Sequence, residues 1–361
     1  MDILIIGAGN AGKATAAYLL SNRKKSFNYN TDDIHDASYQ VRLVTGDAKK
    51  ADETEKKGLT ASGLITGSFR PMIEYSPYGT GKIEASKADV IIVQTVSGAH
   101  RDVAVRLKGR LGNNQMIIIF NGNWGAAEFD SVLGKEAHEK NTLICETAAQ
   151  LFLCSSPEIN SVNITGIKDS VGFAVSDMKR IREAYERAAL LFPGLKASGN
   201  IIDTSANSSN PIIHGPIAAF NITRLENGED YTLFGTALPE KLIRYIEKAD
   251  LERCAVIEAL GTEARGVLDI LNSFWPVKRK SLRDALKENE AYRDIKGPKT
   301  TIHRYIEEDI PYGLVPLSIL GKKLGVSTPY IDSVINSLSL YLDRDFMKEG
   351  PSFEALLRNR V

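Results

Sequence analysis

Ile3-Leu4-Ile5-Ile6-Gly7-Ala8-Gly9-Asn10-Ala11-Gly12 stands almost at the start of the chain. Four consecutive apolar residues read as a strand buried on both faces. The G-x-G-x-x-G that follows leads directly into Ala14, Ala16, Ala17, Tyr18, Leu19 and Leu20, which read as a helix. Strand, glycine turn and helix in this order form the context that the dinucleotide fingerprint requires. Gly7 permits the tight turn, Gly9 lets the backbone approach a pyrophosphate, and Gly12 lets the helix pack on the strand. The free N–H groups and positive dipole end of the helix receive the phosphates. Gly7, Gly9, Asn10, Ala11 and Gly12 are therefore the expected cofactor contacts.

Outward from this stretch the first half continues as an α/β alternation. Residues 22–38 are polar and without period, and read as a surface excursion. Tyr39 to Val44 alternates into a second strand, ending in Thr45-Gly46-Asp47 with Lys49 and Lys50 close behind. An acid at that tip would bond a ribose 2′-hydroxyl, whereas basic residues would accept a 2′-phosphate. With Asp47 slightly late and two lysines near, Thr45, Asp47 and Lys49 are the expected ribose contacts. The cofactor expectation leans slightly to NADP(H), with NAD(H) the close alternative. Strands and turns are expected over residues 64–83, with buried strands over 88–95, 115–120 and 143–147. Further strand-like stretches lie at 151–154 and 161–175, and an amphipathic helix at 177–191. The loops after 95 and 120 fall at the carboxyl ends of parallel strands, where ligands bind in open sheets.

From Asp203 the character changes to long amphipathic helices, expected at about 238–271, 281–290, 300–308, 313–324 and 328–346. The expected architecture is an N-terminal Rossmann-type doubly wound sheet, residues 1–200, joined to an all-α domain, residues 201–361. At the junction stands Asn210-Pro211-Ile212-Ile213-His214-Gly215-Pro216, in which Asn-Pro stiffens the turn and Gly-Pro is expected to end the local run. A histidine held there has a pKa suited to acid/base work. A lone histidine is more often a packing or capping residue, so its neighbours matter. His303-Arg304-Tyr305-Ile306-Glu307-Glu308-Asp309-Ile310-Pro311-Tyr312-Gly313-Leu314-Val315-Pro316 supplies them: an arginine able to grip a carboxylate in bidentate fashion and an acid able to fix an imidazole tautomer. The bland alternative for this stretch is a surface cluster of i,i+4 ion pairs.

The totals narrow the field. The 361 residues carry 45 Lys plus Arg against 45 Asp plus Glu, which argues against a broad nucleic-acid-binding face. Apolar residues make up 43% and charged residues 25%, the balance of a globular protein. Cys145, Cys154 and Cys254 are sparse and odd in number, without metal-ligand spacing. They are expected as free thiols in a reducing compartment, with no metal site. No apolar run approaches ~18 residues, so no membrane span is expected. With no basic n-region ahead of residues 3–6, a cytoplasmic location is expected.

Taken together, the three motifs resemble the opine dehydrogenase family, which includes octopine and nopaline dehydrogenases. The resemblance covers nearly the whole chain. It implies that His214 is the proton donor and acceptor, that Asp309 orients it, and that Arg304 holds the carboxylate of a 2-oxo acid. It also implies a Rossmann domain and a helical domain, of the 6-phosphogluconate dehydrogenase C-terminal-like kind, closing over substrate. The implied reaction is NAD(P)H-dependent reductive condensation of an amino acid with a 2-oxo acid, pyruvate being the expected one, to an N-(1-carboxyalkyl) amino acid, and the reverse oxidation. Two stretches depart from the family pattern: Asn121-Gly122-Asn123-Trp124 replaces a Pro-Gly, and Gln150-Leu151-Phe152-Leu153-Cys154-Ser155 has serine where arginine is usual. Since these loops lie near cofactor and oxo acid, Asn123 and Cys154 join Arg304 as expected substrate contacts, as does Asn210 of the Asn-Pro motif. The amino acid donor stays open, as does the assembly: the apolar face of Ser333 to Tyr341 suits either core or a homodimer interface. Two alternatives remain, another two-domain Rossmann reductase of a 2-hydroxy acid or sugar phosphate, and a non-catalytic NADP(H) sensor. The former usually employs a lysine, and no lysine here sits in a comparable motif.

Overall fold

The computed structural model describes residues 1–21 and 39–351; the excursion expected at 22–38 lies outside the described residues. The first half is built on strands β1 (Asp2–Ile6), β2 (Gln40–Thr45), β3 (Leu59–Gly63), β4 (Gly67–Phe69), β5 (Met72–Tyr75), β6 (Val90–Val93), β7 (Met116–Ile119), β8 (Leu143–Thr147), β9 (Phe152–Ser155), β10 (Ser161–Ile167), β11 (Val171–Val175) and β12 (Leu195–Ala197). Eight form one sheet in the order β12-β11-β8-β7-β6-β1-β2-β5, and the others form a four-stranded sheet, β4-β3-β10-β9. In the large sheet every pairing is parallel except β11 with β8. β6, β7 and β8 are buried at every residue, as parallel strands covered on both faces must be. The strand order reverses at β1, between β2 and β6, which opens a crevice at their carboxyl ends.

Helices α1 (Asn10–Ser21), α2 (Ala48–Lys57), α3 (His100–Leu107), α4 (Gly125–Glu139) and α5 (Ile181–Leu191) belong to this half. The glycine turn behaves as its spacing requires. Gly7 has φ +111°, and a Cβ there would lie 2.5 Å from the Gln94 carbonyl oxygen. A Cβ on Gly12 would lie 1.8 Å from the Gly7 carbonyl oxygen, so only glycine lets α1 sit against β1.

The second half contains α6 (Ile201–Ala206), α7 (Asn210–Phe220), α8 (Ile222–Glu226), α9 (Glu240–Ala259), α10 (Val267–Phe274), α11 (Leu282–Lys287), α12 (Arg304–Glu307), α13 (Val315–Leu324) and α14 (Pro329–Tyr341). Apart from one isolated bridge, Thr232 to Lys296, it holds no strand among the described residues. Two expectations are corrected. The helix expected over 238–271 is two helices, because Gly261 turns the chain at φ +69°. The intervening loop is tied down by the fully buried Arg253, which donates to the carbonyls of Ala206 and Arg265. Gly215-Pro216 does not end the run at His214; α7 passes through Pro216 to Phe220. Pro211 sits in its first turn, where a missing N–H is harmless. The helix continues because both flanks of Pro216 are packed: Gly215 leaves room for Leu314 and Ile310, the nearest atom lying 2.8 Å from where a Cβ would stand. Burial of that face outweighs the one lost hydrogen bond. No helix among the described residues is long and apolar enough to cross a membrane.

Candidate active site

Asn210–Pro216 and Arg304–Pro316 meet through their small residues. Gly313 faces Pro211 so closely that a Cβ would lie 2.2 Å from the proline ring. With Gly215 packed on Leu314, two contacts in which no side chain would fit lock α7 against the 304–316 segment. Pro311 opens a π-helical turn, Ile310–Leu314, and leaves Asp309 at its N-terminal edge. The result places His214 Nδ1 2.9 Å from Asp309 Oδ2, with the acid wholly buried and the imidazole 12% exposed. A carboxylate can only accept, so Nδ1 carries the proton and Nε2 is left as the acid/base atom. Tyr305 stacks on the imidazole at 4.0 Å between ring centroids, with 27° between planes, and limits its rotation. Asp309 Oδ1 is buried without a partner among the described residues.

Arg304 leaves the same segment. Its Nε donates to Glu308 Oε2 at 2.9 Å, and the side chain is 34% exposed. The Glu308 and Asp309 carboxylates beside it push its pKa upward despite burial, so the charge is permanent. Glu308 does more than pair with it. Its Oε1 accepts from Ser97 Oγ at 2.7 Å, from the Ser97 backbone N–H at 3.2 Å and from Asn121 Nδ2 at 3.5 Å. Asn123 Nδ2 donates to Ser97 Oγ, and Asn210 Nδ2 donates to Asn121 Oδ1, each at 3.2 Å. One glutamate of the helical half thus gathers the loops after β6 and β7, at the carboxyl edge of the sheet. Asn121, Asn123 and Trp124 all take positive φ, 53°, 44° and 70°. The asparagines tolerate this and tryptophan does not, so the turn is held from outside. Ser205 Oγ accepts from the Trp124 N–H at 2.7 Å. Below it the buried Glu146 binds Thr204 and Ser205 of α6.

The cofactor candidates fall at the crevice beside β1. Around Gly9 a Cβ would meet nothing within 4 Å, the open space that a pyrophosphate needs. Gln94 Oε1 and Thr95 Oγ1, at the end of β6, are buried without partners among the described residues. Asn10 and Ala11 start α1, with their backbone at its N-terminus. These features fit a dinucleotide. At the tip of β2, Thr45 is buried and accepts from the Asp47 N–H. Asp47 caps α2 through the Lys50 N–H at 3.1 Å. Lys49 is exposed and lies 4.0 Å from Glu53. Cys154 is half-buried on β9; burial pushes its thiol up to about 11, against the pull of Lys13 and Arg304, so it stays protonated. No group of metal-ligating side chains occurs among the described residues. Sequence reasoning missed Glu308, Tyr305, Ser97 and Asn121 as site residues. Ser97 and Asn121 carried the available signal, their position just past parallel strands.

Gly9→Ala is expected to leave the melting temperature within about 1 °C while weakening cofactor binding at least ~10-fold, since the new methyl enters only the pyrophosphate space. Nucleotide titration by nicotinamide fluorescence beside a thermal melt checks this; a large melting shift would place Gly9 in the fold instead.

Residues 197–342 match the model of the NAD/NADP octopine/nopaline dehydrogenase alpha-helical domain. A curated opine dehydrogenase of Arthrobacter sp. (strain 1C) is 29% identical over 355 residues, covering 98% of this chain and 94% of its own length. The chain is thus similar to opine dehydrogenases over nearly its whole length, and its second half to the helical domain of octopine and nopaline dehydrogenases. It is an NAD(P)-dependent oxidoreductase. Among solved structures, octopine dehydrogenase with NADH and agmatine superposes with a TM-score of 0.73 at 15% identity, over 95% of this chain and 90% of that one. Yersinopine dehydrogenase with NADP+ gives 0.68 at 14% identity, over 99% and 95%. At those identities the superpositions speak for the shared two-part fold.

Proposed function

We propose that this enzyme joins the amine of an amino acid to a 2-oxo acid, pyruvate being the expected one, and reduces the imine to an N-(1-carboxyalkyl) amino acid. The observation that carries this reading is the His214–Asp309 pair, 2.9 Å apart, with Arg304 five residues before Asp309 on the facing segment. NAD(P)H supplies the hydride that reaches the imine carbon. Gly7, Gly9, Asn10, Ala11 and Gly12 hold its pyrophosphate, with Thr45, Asp47 and Lys49 near its ribose. The oxo oxygen leaves as water when the imine forms; His214 Nε2 then gives the proton that the amine nitrogen gains as the imine is reduced, and accepts it in the oxidative direction, with Asp309 stabilising the imidazolium. Arg304 orients the 2-oxo acid by its carboxylate, held in turn by Glu308. Asn123, Asn210 and Cys154 line the space around it. In this reading residues 1–200 carry the cofactor and 201–361 the substrate groups, and the enzyme works in the cytoplasm.

A co-substrate screen tests it. NAD(P)H oxidation should require pyruvate and an amino acid together, and mass spectrometry should find the secondary amine. Oxidation with pyruvate alone would mark a 2-hydroxy acid dehydrogenase, and no oxidation with any pair would end the proposal.

A further inference from the structure

An opine carries two α-carboxylates, one from the oxo acid and one from the amino acid, and Arg304 accounts for one of them. A second buried cation, Lys168, stands close enough to Arg304 to feel its charge. Lys168 follows β10, with its backbone N–H bonded to the Leu151 carbonyl at 3.0 Å. It lies two residues past Gly166, where a Cβ would touch Trp275 of the helical half at 2.8 Å. Its side chain crosses to α10, with Nζ 3.9 Å above the ring centroid of Phe274. The next residue closes the joint, as the Asp169 N–H donates to the Phe274 carbonyl at 2.9 Å.

Lys168 is only 7% exposed. Among the described residues no carboxylate and no hydrogen-bond acceptor is recorded for its ammonium, whose one recorded partner is the ring of Phe274. Such a group is costly to bury unless something supplies the missing counter-charge. Burial, and then the charge of Arg304, lower its pKa to about 7. Arg304 acts in the same way on Cys154 of neighbouring β9, so guanidinium, thiol and amine share one electrostatic space. Nearby acids serve other groups: Asp309 holds His214 through Oδ2, and both Glu308 oxygens are bonded. Of these two neighbouring cations, Arg304 has a carboxylate partner and Lys168 has none among the described residues.

We propose that Lys168 binds the α-carboxylate of the amino acid donor, opposite the oxo acid carboxylate on Arg304. This rests on the opine reading above. The bound carboxylate supplies the counter-charge that Lys168 lacks, and the two cations fix both ends of the bond being reduced. A ligand of this class has two carboxylates flanking a secondary amine, and a plain amine donor lacks one of the two grips.

Steady-state kinetics with NAD(P)H and pyruvate test this, using L-arginine with agmatine, L-lysine with cadaverine and L-phenylalanine with phenethylamine as donor pairs. Lys168→Met keeps a contact on the Phe274 ring and removes the charge. It should lower kcat/KM for the amino acids about 10- to 100-fold, leave the decarboxylated amines and the KM of pyruvate within about twofold, and be largely rescued in Lys168→Arg. Lys168→Gln, with different packing, should repeat the pattern and guards against a folding failure of the methionine variant. Equal losses for amino acids and amines, a rise in the KM of pyruvate instead, or a lowered melting temperature with unchanged kinetics would overturn the assignment and leave Lys168 an interdomain brace. If the unsubstituted enzyme consumes NAD(P)H with none of these pairs, the opine reading itself falls, and this proposal with it.

Discussion

Asp309→Asn lowers kcat by about two to four orders of magnitude, and His214→Ala does the same, while cofactor affinity stays within about threefold. The expectation comes from one contact. Asp309 Oδ2 accepts from His214 Nδ1 at 2.9 Å inside a wholly buried setting. In the proposed mechanism that bond leaves Nε2 free to act as the base and stabilises the imidazolium formed when it takes a proton. An asparagine would present an N–H to Nδ1 or a weaker acceptor, so it favours the wrong tautomer and provides no negative charge. Because the two residues act as a unit, the double variant should be little worse than either single one. Rates at saturating substrates, with nicotinamide fluorescence titrations for binding, give the answer. Near-native turnover in His214→Ala with cofactor still bound would remove this pair from the chemistry.

The second large effect concerns Arg304 and Glu308. Arg304→Ala should raise the apparent KM of the 2-oxo acid about 100-fold, the value of a lost charge-assisted carboxylate contact of about 2.7 kcal/mol. Cofactor binding should not move. Glu308→Ala should act differently. It removes the acceptor of Arg304 Nε, of Ser97 and of Asn121 at once. Buried donors from both halves then lose their partner, and stability should fall by about 3 kcal/mol. The melting temperature drops, and the oxo acid KM rises because Arg304 is no longer held. Since the two residues touch, the stability losses should not add in the double variant. Melts and pyruvate saturation curves on the three variants check this; an unchanged KM in Arg304→Ala would take it out of the substrate cleft.

Much of the fold is legible because the relevant rules are local. Ile3–Ile6 has to be covered on both faces, and Gly7, Gly9 and Gly12 have to stand where a Cβ would collide or block a phosphate. Helical periodicity marks the second half, but it says little about where helices stop. The pattern over 238–271 continues through a break made by Gly261 and secured by Arg253, a residue that looks like an ordinary surface charge in the sequence. Pro216 misleads in the opposite direction: the local rule says stop, and the packing of Gly215 on Leu314 carries the helix on.

For the site the division is sharper. Residue types in their motifs marked His214, Arg304 and Asp309 as candidates, and the family resemblance gave them the roles of base, clamp and orienting acid. By itself the sequence determines the dinucleotide turn, the two-part α/β and all-α plan and those three candidates, because each depends on neighbours a few residues away. Only the tertiary structure decides that His214 and Asp309, 95 residues apart, approach to 2.9 Å. Only there does Glu308 tie Ser97 and Asn121 to Arg304, and Lys168 lie buried against Phe274. These depend on which side chains are removed from water together. That is set by Gly313 fitting against Pro211 and by β10 meeting α10, contacts between distant segments that no local pattern encodes.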